Sequence, residues 1–122
     1  MNDSTILLRQ INPNFIRDGR VTSQAFKPTP KDEDLLSVYD GDMISPQDSL
    51  HHFEDSLDCS SSGVMGVTVE ECKEQDLTAN SDPAPFPEHA VIDYSDLSNG
   101  QISKKAKKIT KVAQERDWLY KK

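Results

Sequence analysis

Cysteine is scarce in this sequence of 122 residues: Cys59 and Cys72 are the only two, and they form no CxxC pattern. That excludes a disulfide framework and a paired zinc-ligand set, and reads as two reduced thiols. No apolar run approaches the roughly 18 to 20 residues needed to cross a bilayer, and Met1-Asn2-Asp3-Ser4 lacks the positive region of a secretory signal. The expectation is a cytoplasmic chain with no membrane contact. GxSxG, the P-loop, GxGxxG after a strand and HExxH are all missing, so the familiar catalytic classes have no support and no cofactor or metal is expected. Only three histidines are present.

What is present is charge, unevenly placed. The net charge of −7 conceals a division, because eight of the fourteen Lys and Arg residues lie beyond residue 100 and only two of the acids do. The acidic body disfavours a general affinity for nucleic acid and leaves only a local contact through the basic C-terminal segment. Apolar residues make up 34% of the chain, yet they gather in dense runs such as Ile6-Leu7-Leu8 and Val64 to Val69. Clustering of that kind suits one packed domain over residues 1–122.

Those runs set the expected elements. Thr5 to Ile11, Leu35 to Tyr39, Val64 to Val69 and Ala90 to Tyr94 read as strands, the third as a central one buried on both sides. Ser45-Pro46-Gln47-Asp48 opens a helix, with Ser at the N-cap, Pro at the first position and an acid in the first turn. Leu50, Phe53 and Leu57 continue it at helical spacing. Thr68 with Glu71 and Ser98 with Gln101 both fit capping boxes, predicting a short helix through Cys72 and Gln75 and a long last helix. On that last helix Ile102, Ala106, Ile109 and Ala113 share one face and Lys104, Lys107, Lys108 and Lys111 the other. The fold class expected is α+β, a small sheet of about three or four strands covered by the two main helices.

Several segments also resemble a known family. Gly19-Arg20-Val21-Thr22-Ser23-Gln24-Ala25-Phe26-Lys27-Pro28-Thr29-Pro30-Lys31-Asp32, Leu36-Ser37-Val38-Tyr39-Asp40-Gly41-Asp42, Gly63 to Val69, Pro85-Phe86-Pro87-Glu88-His89 and Trp118-Leu119-Tyr120 are similar to a family of small uncharacterised bacterial proteins. The similarity covers nearly the whole chain. It implies a small stand-alone bacterial protein and transfers no catalytic residue.

Histidine is the first place to look for acid-base chemistry near neutral pH. His51 and His52 read as a solvated helix pair, with His51 able to face Asp55. His89 follows the proline loop and opens a strand, a boundary where polar groups reach clefts, so it is the candidate acid or base. Asp93 shares its strand face but lies about 13 Å away along a regular strand, too far for a direct hydrogen bond. Arg20 and Asp40 are weaker catalytic candidates, and Asp40-Gly41-Asp42 reads foremost as a turn. Arg20, Ser23, Gln24 and Lys27, around Phe26 in a proline-stiffened stretch, are candidate binding residues. So are Lys104, Lys107, Lys108 and Lys111. The leading expectation is a non-enzymatic accessory or regulatory protein that binds a larger bacterial protein. The alternative is a small enzyme for a nucleotide or phosphate-containing substrate, with Arg20 and Lys27 as anion contacts, and the sequence leaves open whether it is an enzyme at all.

Overall fold

A computed structural model describes residues 1–122. Its strands are β1 Ile6–Gln10, β2 Ile16–Arg17, β3 Arg20–Val21, β4 Leu35–Asp40, β5 Gly63–Thr68, β6 Thr78–Ser81, β7 His89–Asp93 and β8 Tyr120–Lys121. Its helices are α1 Pro46–Asp55, α2 Val69–Lys73 and α3 Asn99–Arg116, with short 3-10 turns at Pro13–Phe15, Ser23–Phe26 and Pro30–Asp32. Six strands form one curled antiparallel sheet in the order β6-β7-β4-β1-β5-β8, and β2 with β3 make a separate hairpin across Asp18-Gly19. The fold is therefore α+β, but the expected small sheet of three or four strands is incorrect. The four apolar runs supply its middle. The polar Thr78-Ala79-Asn80-Ser81 and the two-residue β8 extend it as edges, where one free side removes the demand for continuous apolar sequence.

Alternation divides the strands between two faces. Leu7, Leu36, Val38, Met65, Val67, Ala90 and Ile92 point to one side and pack under α3 and the Ser23–Phe26 turn, with Phe26 fully buried. From α3, Ile102, Ala106, Ile109 and Ala113 are all buried, while Lys104, Lys107, Lys108 and Lys111 are exposed. Each large side chain so buried contributes roughly 1.5–3 kcal/mol. Both helix starts carry the expected caps. Ser45 Oγ accepts from Asp48 N at 3.1 Å, and Ser98 and Gln101 bond reciprocally. The Thr68–Glu71 box starts α2 in the same way.

On the other side α1 lies over β1 and β5, and Leu8, Tyr39, Leu50 and Val64 form a smaller core. Here the burial is partly polar. Gln10 Nε2 donates to Ser49 Oγ at 2.8 Å, and its Oε1 accepts from Ser61 Oγ at 2.9 Å, so each buried side chain has a partner. No helix is long and apolar enough to cross a membrane.

The sheet also opens in its middle. Strands β1 and β5 pair from Ile6 to Gln10, and β4 and β7 from Leu35 to Tyr39, but β1 and β4 pair only at Leu7–Asp40 and Leu8–Tyr39. Beyond that point Arg9 bridges the separating strands, its Nη1 donating to Ser37 O at 2.9 Å and its Nε to Ala25 O at 2.6 Å. Burial lowers the guanidinium to about 10, which leaves it charged at neutral pH.

Candidate functional site

The opening between β1 and β4 is the floor of a cleft of about 310 Å³. Leu8 and Tyr39 line it from the sheet, Phe53 and Leu57 from α1 and the residues after it, and Pro85 and Phe86 from the proline loop. The loop is held extended because its prolines fix φ and donate no ladder bonds. At 41% exposure Leu57 stands at the rim. Its polar lining consists of Ser37 and His89, with Arg9 and Gln10 from β1.

An aromatic cluster sets the shape of one wall. The Phe86 ring lies 4.5 Å from His52 and 5.2 Å from Tyr39, tilted against both, and meets His89 edge-on at 5.2 Å, centroid to centroid. Tyr39 OH lies 2.8 Å from His52 Nδ1. Burial first, then the nearby Cys59 and Glu88, raises the Tyr39 phenol well above its ordinary value, so the phenol keeps its proton in this contact. His52 is thus not the solvated partner of His51 that its sequence neighbourhood predicts. A rotation of about 100° separates an exposed His51 from a half-buried His52 fixed against the sheet.

His89 is 8% exposed and stands at the boundary foreseen for it. Its Nδ1 lies 2.9 Å from Asp82 O and 3.3 Å from Asp82 Oδ2, and its Nε2 lies 3.1 Å from Ser37 Oγ. Asp93 is no partner. Its Oδ1 accepts from Ser95 N at 2.8 Å and closes a turn.

The remaining sequence candidates do not converge on this cleft. Arg20 lines a shallow recess with Val21, Gln114, Asp117 and Trp118. Ser23 and Gln24 belong to the 3-10 turn that inserts Ala25 and Phe26 into the core. Lys27 borders a different recess with Pro28, Asp34 and Asn99. Asp40 is buried at the end of β4, where its Oδ1 accepts from Asp42 N at 2.9 Å and Asp42 accepts from Thr5 Oγ1, so this segment is a bonded turn. No group of three or more His, Cys, Asp and Glu side chains is placed to hold a metal ion. The four ridge lysines make no ion pair, whereas their neighbour Lys105 turns back to the Gln75 carbonyl.

Sequence reasoning missed Ser37, Asp82, Phe86, Tyr39 and His52 as members of one site. Period-two alternation puts Ser37 on one face with Leu35 and Tyr39, which is a weak signal for a polar side chain at a face otherwise lined by larger ones. Comparison with known proteins finds no matching family model, no matching curated protein and no matching solved structure.

Proposed function

We propose that this chain acts by recognition, as a small accessory or regulatory protein whose cleft receives an apolar side chain of a larger bacterial protein. The cleft carries the reading. It is concave and walled by Leu8, Phe53, Leu57, Pro85 and Phe86, with Arg9, Gln10, Ser37 and His89 as its polar groups, the composition expected of a site that buries an apolar anchor and orients it by a few polar contacts. The separation of Arg20, Lys27 and Asp40 from His89 counts against the enzyme for nucleotides or phosphates, because its anion contacts and its base belong to different recesses. The exposed, unpaired lysines of α3 suit a second, electrostatic contact with an acidic partner surface, and any nucleic-acid contact is confined to them.

The test is an NMR titration of isotopically labelled protein with the N-acetyl amides of leucine, phenylalanine and tryptophan. Shift changes confined to Leu8, Tyr39, Phe53, Phe86 and their neighbours, and removed by Leu57→Lys, are expected. Changes scattered over the surface, or none at millimolar amide, would dismiss the cleft as a recognition site.

A further inference from the structure

Ser37 and His89 come from adjacent strands and meet as diagonal neighbours, since Tyr39 stands opposite His89 and Ser37 opposite Val91. Both point to the α1 side of the sheet. Asp82 presents only acceptors to His89 Nδ1, a carbonyl at 2.9 Å and a carboxylate at 3.3 Å, so that nitrogen carries the ring proton of the neutral imidazole. The lone pair of Nε2 then faces the Ser37 hydroxyl at 3.1 Å. Phe86 packs against the imidazole and limits its movement, while Ser37 itself is exposed. The pair also stands between two recesses. The apolar cleft lies on one side, and on the other is an open groove bordered by Lys31, Asp32, Glu33 and Asp82.

We infer that Ser37 is an acyl-accepting nucleophile with His89 as its base, acting on esters that place an apolar acyl group in the cleft and a polar leaving group in the open groove. The inference rests on the cleft being a recognition site and adds a reaction to it. In the first step the Ser37 O–H bond breaks, its proton passes to His89 Nε2, and Oγ bonds to the acyl carbon. The bond from that carbon to the leaving oxygen then breaks, and the proton on Nε2 goes to the departing alkoxide, releasing an alcohol. Water then gives a proton to the same Nε2 while its oxygen bonds to the acyl carbon; the bond from that carbon to Oγ breaks, and the Nε2 proton passes to Oγ, releasing the carboxylic acid and restoring the Ser37 hydroxyl. Asp82 touches no reacting atom and is a positioning residue that fixes the tautomer. Ladder alternation turns the Ser37 N–H toward the opening between β1 and β4, the side on which its carbonyl meets Arg9, and this provides a backbone donor beside the forming oxyanion. One such donor stabilises the oxyanion less than the usual pair, so ready acylation with slow turnover is the expected behaviour.

The experiment treats the full chain with an alkyl fluorophosphonate and with 4-nitrophenyl acetate, butyrate and hexanoate, following intact mass and mapping the modified residue. One adduct per chain on Ser37, forming faster as the acyl group lengthens, is expected. Ser37→Ala should abolish it, and His89→Gln should slow its formation by about 10²-fold or more. Ser37 is exposed, so Ser37→Ala keeps the fold and remains decisive if His89→Gln does not fold. Asp82→Asn should retain the adduct while displacing the pH profile of its formation, which loss of a merely structural contact would not do. Modification at a lysine, a tyrosine or Cys59 in place of Ser37, or an unchanged rate in Ser37→Ala, would overturn the inference. Amide probes that bind the cleft without any Ser37 adduct would overturn the reaction and leave recognition standing, whereas neither binding nor adduct would remove both.

Discussion

Two phenylalanines show how differently the two faces of the sheet are closed. Phe26, on the α3 side, is inserted by a 3-10 turn and has no exposure, with Tyr94 OH donating to its carbonyl at 2.8 Å. Phe53, on the α1 side, is half-buried and forms a wall of the cleft. On the first face a turn and a long helix cover the strands completely. On the second a ten-residue helix covers β1 and β5, and the rest is left to a proline loop. The molecule keeps its stability on one face and its exposed chemistry on the other, and that division is open to measurement.

The largest effect belongs to the closed face. Phe26→Ala should lower the unfolding free energy by about 4 kcal/mol, because a large side chain is lost from a site with no room to collapse. Urea unfolding measures it, and a loss below about 2 kcal/mol would mean that the α3 face is looser than described. The same truncation on the open face, Phe53→Ala, should cost only about 1–2 kcal/mol while enlarging the cleft. Equal losses for the two variants would abolish the contrast between the faces.

A third change concerns the rim of the closed face. Burial opposes the Glu71 charge, but the Arg116 guanidinium at 2.8 and 3.0 Å and the Thr68 N–H outweigh it and hold the carboxyl below its ordinary range. A depressed carboxyl pKa adds stability above the unfolded-state value, and that stability is lost as pH falls through the folded one. Glu71→Gln should therefore cost about 1 kcal/mol at pH 7, a figure already reduced for solvent screening. The gap from the parent protein should close as the pH is taken below about 4. A gap independent of pH in paired melting curves would show that the ion pair is not its source.

The smallest effect is on the lysine ridge. Changing Lys104, Lys107, Lys108 and Lys111 together to Gln should move the melting temperature by no more than about 2 °C, since the four exposed side chains make no ion pair and their summed effect stays within about 0.5 kcal/mol. Unfolding of that variant would mean that the lysine face, not the Ile102–Ala113 face, is the docking one.

The two faces were also unequally legible in the sequence. Apolar density marked β1, β4, β5 and β7, and side-chain caps at Ser45, Thr68 and Ser98 marked the helices, because each of these signals is local. The edges β6 and β8 carry no such signal, since a strand with one neighbour tolerates polar sequence such as Thr78-Ala79-Asn80-Ser81. The cleft was less visible still. His89 stood out as a boundary histidine, but Ser37 reaches it only because β4 and β7 pair in one register out of several. Asp82 reaches it through the path of a loop. Neither relation has a period, so neither leaves a trace along the chain. Arg20 and Asp40 drew notice as charged residues beside turns, and local turn bonding accounts for Asp40.

Arg9 has one more consequence, for the order in which the protein is assembled on the ribosome. The sheet is two ribbons, β6-β7-β4 and β1-β5-β8, joined by the short pairing at Leu7 and Leu8 and by one guanidinium. The N-terminal strand emerges first, yet its full ladder waits for β5, more than fifty residues later in synthesis. The Arg9 bonds to the Ala25 and Ser37 carbonyls and the short pairing with β4 join segments that all precede residue 41, so the link that looks weakest in the finished sheet is the one that needs least of the chain to be complete.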